Sequence, residues 1–201
     1  MIAQVSDSRM TPEEYLAFEQ ESDIKHEYVN GEVYAMSGTT DDHNTIALNV
    51  AVILRNHLRG SDCRVYIADM KAQPPIRNYY YPDVLVTYNP ADRETPLYKR
   101  FPKLIVEVLS DSTEAKDRGD KFIDYQRFES LEEYVLVNTK YKRVEIFRRS
   151  TGGLWVLQVY QEDAETDKVM VDFKSVDLQV SLSELYEDVT LDATVRSESA
   201  P

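Results

Sequence analysis

The chain has 201 residues, 42% apolar and 29% charged, a balance that suits one soluble domain with a sizeable core and excludes a fibrous or disordered chain. Its lone cysteine, Cys63, excludes an intrachain disulfide and a cysteine-based zinc site. The net charge of −13 argues against a broadly basic nucleic-acid surface, yet it sits at the ends: residues 1–32 carry 2 basic and 8 acidic side chains, residues 162–201 carry 3 and 11, and the middle carries 18 and 17.

The N-terminus lacks the basic segment and apolar run of a signal peptide, and the longest apolar stretch, residues 46–54, is interrupted by Asn49. A cytoplasmic chain without a membrane span is expected. Residues 1–10 are expected to be flexible, residues 11–190 to form one domain, and residues 191–201 to be a disordered tail.

Thr11-Pro12-Glu13-Glu14 reads as a capping box with proline in the first helical turn, opening a helix to about Glu19. The run from Lys25 to Met36 is two strand-like segments around Asn30-Gly31, the strongest short-range hairpin signal. Asp42 can cap a helix from His43 to about Leu58, ended by Gly60, whose broad apolar surface is carried by Ile46, Leu48, Val50, Ile53, Leu54 and Leu58. Arg64 to Asp69, Pro82 to Tyr88 and Lys103 to Leu109 then read as three strands, the last two rich enough in Val, Ile and Leu to be buried on both faces.

Ser112 or Thr113 can start a helix to about Phe128, after which residues 133–137 form another strand. Residues 143–149 and 154–161 form a further hairpin, residues 169–180 one or two weaker strands, and residues 183–187 a last short helix. The order predicts an α/β (α+β) fold: a core of helix, three strands, helix and strand, with a mixed central sheet flanked by helices, an N-terminal β-hairpin and C-terminal β additions.

Asp83 and Glu107 are carboxylates within or beside these apolar strands. A buried carboxylate costs several kcal/mol unless it is paired, hydrogen-bonded or metal-bound. Strands lie about 4.8 Å apart, so two acids at matching depth can share a cation, and oxygen-only ligation favours magnesium or manganese. Pro82 places Asp83 at a strand start or bulge. Glu107 lies between Val106 and Val108, which point to the opposite face. Lys121 follows at the next helix, where an ammonium can orient an attacking water and offset charge on a phosphoryl group.

In this order Pro82-Asp83, Glu107-Val108-Leu109-Ser110 and Asp117-Arg118-Gly119-Asp120-Lys121 resemble the PD-(D/E)xK nuclease superfamily. More narrowly, Glu27-Tyr28-Val29-Asn30-Gly31-Glu32 and the following His43 resemble the Uma-two family of bacterial endonucleases, over roughly residues 11 to 190. One departure stands out: Leu109 occupies the motif's lysine position, so the lysine role passes to Lys121.

The resemblance implies a restriction-endonuclease-like fold and a magnesium- or manganese-dependent DNA endonuclease. In it Asp83 and Glu107 bind metal, Lys121 serves catalysis, and Glu27 and His43 support the site. It also implies a homodimer, since two sites are needed to cut two strands. The rival reading is a non-catalytic nucleic-acid- or protein-binding module on a nuclease scaffold, which the acidic ends favour. Lys116 and Arg118 are candidate contacts to a nucleic-acid backbone, the tyrosines at 79–81 are expected to pack within or beside the sheet rather than stack on bases, and Glu32 and Asp69 are further candidate acids.

Overall fold

The computed structural model describes residues 3–4, 9–162 and 168–191. The flexible N-terminal segment and the disordered tail expected from the sequence fall largely outside them. Strand β1 (Ala3–Gln4) precedes helix α1 (Pro12–Glu21), where Thr11 Oγ1 accepts from the Glu14 N–H at 3.2 Å and Glu14 Oε2 accepts from the Thr11 N–H at 2.7 Å. Strands β2 (His26–Val29) and β3 (Glu32–Ala35) turn through Asn30 and Gly31, at φ 54° and 93°. Two consecutive left-handed residues match the twist of a two-residue hairpin, and the Asn-Gly pair tolerates them best. β1 pairs with β3 to complete a three-stranded sheet.

Helix α2 (Asp41–His57) starts earlier than the sequence suggests, because Thr40 rather than Asp42 caps it, its Oγ1 accepting from the His43 N–H. Next come β4 (Arg64–Ile67), β5 (Lys71–Ala72), β6 (Val84–Thr87), β7 (Tyr98–Lys99) and β8 (Pro102–Leu109). The single helix expected up to Phe128 is two short ones, α3 (Glu114–Arg118) and α4 (Asp120–Tyr125). Gly119 breaks it at φ −107° and ψ −107°, and a Cβ there would lie 3.0 Å from the Ala115 carbonyl oxygen. The chain closes with β9 (Glu133–Asn138), β10 (Arg143–Arg149), β11 (Trp155–Gln161), β12 (Met170–Phe173), β13 (Leu178–Ser181) and α5 (Leu182–Leu185).

The central sheet has six strands in the order β11-β10-β9-β8-β6-β4, with β8 and β9 parallel and the other neighbours antiparallel. Alternation along β8 sorts its side chains. Leu104, Val106 and Val108 join Ile46, Val50 and Leu54 of α2 in one core. Ile105 and Leu109 join Phe122 and Tyr125 of α4 in the other. The period of two therefore sends Glu107 to the α4 side, a carboxylate set into an apolar face. Among the described residues, no helix is long and apolar enough to cross a membrane.

Candidate active site

Register carries the two strand carboxylates together. Val84 lies opposite Val106 in the antiparallel β6–β8 pair, so Asp83, one residue earlier, comes level with Glu107, one residue later. Asp83 stands just before β6, because the strand expected from Pro82 begins at Val84, and its Oδ2 accepts from the Val108 N–H at 2.7 Å. Both acids line one cavity of about 560 Å³, whose wall also includes Glu27, His43, Lys116, Asp117 and Lys121.

Lys121 does not point to solvent. Its Nζ lies 2.9 Å from Glu107 Oε1, 3.2 Å from Glu27 Oε1 and 3.3 Å from Asp117 Oδ1, and its side chain is 6% exposed. Glu27 comes from the hairpin, Glu107 from the central sheet, Asp117 from α3 and Lys121 from α4, so four elements converge on one ammonium. The Tyr125 hydroxyl donates to Glu107 Oε1 at 3.1 Å, giving the buried carboxylate a second partner. His43, in the first turn of α2, places Nε2 3.4 Å from Asp83 Oδ2.

These contacts set the protonation of the site. Burial drives the Glu107 carboxyl well above its ordinary range; Lys121 pulls it down, while Asp117 and Asp83 push it up again. Burial disfavours the Lys121 ammonium, but Glu107, Glu27 and Asp117 outweigh that and hold it charged, well above its ordinary range. Glu27 is also desolvated, yet Lys121 and Lys116 together bring it below its ordinary range. His43 is raised in spite of its burial by its hydrogen bond to Asp83 and by that residue's charge. The cavity lining thus gathers five carboxylates, three lysines and one histidine, with Asp23 and Lys25 joining the groups above.

This donor set fits a hard divalent cation. Among the described residues no three His, Cys, Asp or Glu side chains stand as a ready-made metal cage. Magnesium does not need one, because it keeps several waters and takes one or two carboxylates plus substrate phosphate. Asp83 and Glu107 are the two carboxylates that would hold it.

Of the other sequence candidates, Tyr81 lines the cavity wall and the rest fall outside it. Arg118 turns from the cavity to Glu145, donating from both terminal nitrogens, and to Glu114. Tyr79, Tyr80 and Tyr81 are buried and pack within the fold, as strand tyrosines do, rather than presenting free faces to bases: Tyr79 packs on Tyr15, Tyr80 donates to Asp124, and Tyr81 donates to Glu19. Glu32 accepts from Tyr34, and Asp69 is an exposed partner of Lys25. Sequence reasoning missed Tyr125 as a site residue and named Asp117 only within the segment that ends at Lys121, without a role in the site. The spacing of Asp117, Lys121 and Tyr125 at successive intervals of four was the available signal, since it sets all three on one face.

A family model for Uma2, described as "Putative restriction endonuclease", matches residues 12–181. The chain belongs to the Uma2 family. Within the curated proteins it is 37% identical over 179 residues to "Uncharacterized protein slr1290" of Synechocystis sp., covering 89% of this chain and 92% of that one. A second Synechocystis protein, "Uncharacterized protein sll1609", is 28% identical over 162 residues, covering 79% and 92%. The fold is shared with a crystal structure described as a putative nuclease belonging to DUF820 from Anabaena variabilis, at a TM-score of 0.71 and 16% identity, covering 88% of this chain and 97% of that one. The resemblance read from the hairpin, the two strand acids and Lys121 is thereby established at the level of family and fold.

Proposed function

We propose that this Uma2 protein is a metal-dependent endonuclease that hydrolyses DNA phosphodiesters. The observation that carries the reading is the Lys121 ammonium within 2.9 Å of Glu107, in a cavity that also holds Asp83. A charged lysine, two carboxylates and an opening to solvent are the parts needed for in-line attack by water on a phosphodiester. The family description supports the reaction class.

In this reading Asp83 and Glu107 hold magnesium or manganese. The bound cation would polarise a phosphoryl oxygen and lower the pKa of an attacking water. Lys121 orients that water and offsets negative charge as it develops on the phosphoryl oxygens; removing one such preorganised group costs on the order of 10²–10³ in rate. Glu27 and Asp117 hold the ammonium on the sides away from Glu107. Tyr125 fixes the Glu107 carboxylate, and His43 with the Val108 N–H fixes Asp83. These supporting groups matter because a carboxylate that rotates out of register binds metal without aligning substrate.

The test is incubation of purified protein with supercoiled plasmid, linear duplex, single strands and RNA, with magnesium or manganese and with chelator. Metal-dependent nicking of DNA that is lost in Asp83→Ala, Glu107→Ala and Lys121→Ala variants supports the assignment. Cutting by the Asp83→Ala protein at the wild-type rate identifies a contaminant and removes the assignment.

A further inference from the structure

Two lysines enter the cavity from adjoining short helices, and they are held differently. Lys121 is enclosed among three carboxylates. Lys116 is a quarter exposed, and its single ionic partner among the described residues is Glu27, whose Oε2 lies 2.5 Å from its Nζ. The ring faces of Tyr34 and Tyr80 lie 5.3 Å and 5.8 Å from the same ammonium. Arg118, the other cation of α3, is committed to Glu145 and Glu114 and cannot reach the cavity without breaking both.

Glu27 is the reason that Lys116 can be released. One of its oxygens accepts from Lys121 and the other from Lys116, so withdrawal of Lys116 leaves the buried carboxylate still paired. An uncompensated buried charge would forbid that exchange, whereas a shared carboxylate permits it. A phosphate arriving at the mouth would offer Lys116 a full negative charge and a charge-assisted hydrogen bond in place of the one to Glu27.

We propose that Lys116 is a substrate-binding residue that grips a phosphate of the nucleic-acid strand adjacent to the scissile one, leaving Glu27 to Lys121 as the strand enters. This rests on the nuclease reading above. It assigns separate tasks to the two lysines: Lys121 acts on the reacting phosphate and Lys116 on its neighbour. A fixed lysine that only neutralises Glu27 is the opposing account.

The experiment measures binding of a fluorescently labelled DNA oligonucleotide by anisotropy across a salt series, beside cleavage kinetics, for wild type, Lys116→Gln and Lys116→Arg. Each phosphate contact contributes close to one unit to the slope of log affinity against log salt, so Lys116→Gln lowers that slope by about one. It also weakens affinity roughly threefold to tenfold and raises KM more than it lowers kcat, and Lys116→Arg restores most of both. An unchanged slope with unchanged KM overturns the proposal, as does a fall in kcat and melting temperature at constant slope, the signature of a structural ion pair. Binding with the altered slope but no cleavage by any of the three proteins upholds Lys116 and removes the nuclease reading. Cleavage that is indifferent to Lys116 does the reverse, and no binding by the wild type overturns both.

Discussion

The Lys121 ammonium meets the Glu107 carboxylate at 2.9 Å although Leu109, two residues after Glu107, occupies the position from which a lysine would project on the same strand. Leu109 is buried in the apolar core beneath α4, and the lysine reaches the carboxylate from α4 itself. A helix thus delivers the charge to a place that the strand leaves apolar.

Lys121→Met keeps an unbranched side chain, one atom shorter and without charge, and leaves Glu107, Glu27 and Asp117 around an apolar group. Breaking one partner out of a buried ionic cluster costs roughly 3–5 kcal/mol, so chemical denaturation is expected to show a loss in that range at pH 8. Protonation of the orphaned carboxylates relieves the repulsion, so the deficit shrinks as the pH falls towards 5. A deficit independent of pH would show that the carboxylates do not depend on Lys121.

Glu27 gives an acid limb to the stability of the wild type. Its folded-state pKa lies below the ordinary glutamate value of 4.5, through Lys121 and Lys116 acting against its burial. The stability it contributes is therefore present above that value and lost as the pH falls through the depressed folded one. Glu27→Gln should be less stable than wild type at neutral pH, with the difference in unfolding free energy narrowing below about pH 4.5. A difference that stays constant down to pH 3 contradicts the ion-pair account.

Divalent cations should stabilise the fold. A ligand bound only by the native state adds about 2.7 kcal/mol at a hundredfold excess over Kd, so magnesium or manganese should raise the melting temperature. Because the Glu107 carboxyl is raised well above its ordinary range, protons compete with the cation, and the rise should be larger at pH 8 than at pH 6. Asp83→Asn and Glu107→Gln should lose it, and an equal shift in those variants would place the cation elsewhere.

The hairpin that carries Glu27 depends on its turn. Gly31 has φ 93°, and a Cβ there would meet the Arg9 side chain at 3.3 Å. Gly31→Ala is expected to cost roughly 1–2 kcal/mol, the penalty of a left-handed residue with a side chain, read from denaturation midpoints. An unchanged midpoint would mean that the turn adopts another geometry.

The hairpin, the buried strands and their acids were legible because each rests on a local rule: Asn30-Gly31 demands the tight turn, and unbroken apolar residues around Glu107 demand that its charge be answered. Glycine is less legible within a helical pattern, so the break at Gly119 was not foreseen; the close carbonyl of Ala115 that enforces it belongs to the folded chain. Tyr125 is a generic core aromatic by composition, and only the stacking of α4 on β8 brings its hydroxyl to Glu107. The burial of residues 79–81 has the same origin, since the hairpin and α1 close over Tyr79 and Tyr81 while α4 closes over Tyr80.

The most direct test of the central claim is the single-turnover rate of cleavage of a DNA duplex under saturating magnesium, measured for wild type and Glu107→Gln. That substitution preserves shape while removing the charge that both the cation and Lys121 require. A fall on the order of 10²–10³ or more in rate, with the melting curve still cooperative, is the result this account predicts. A Glu107→Gln protein that cleaves at the wild-type rate would contradict it.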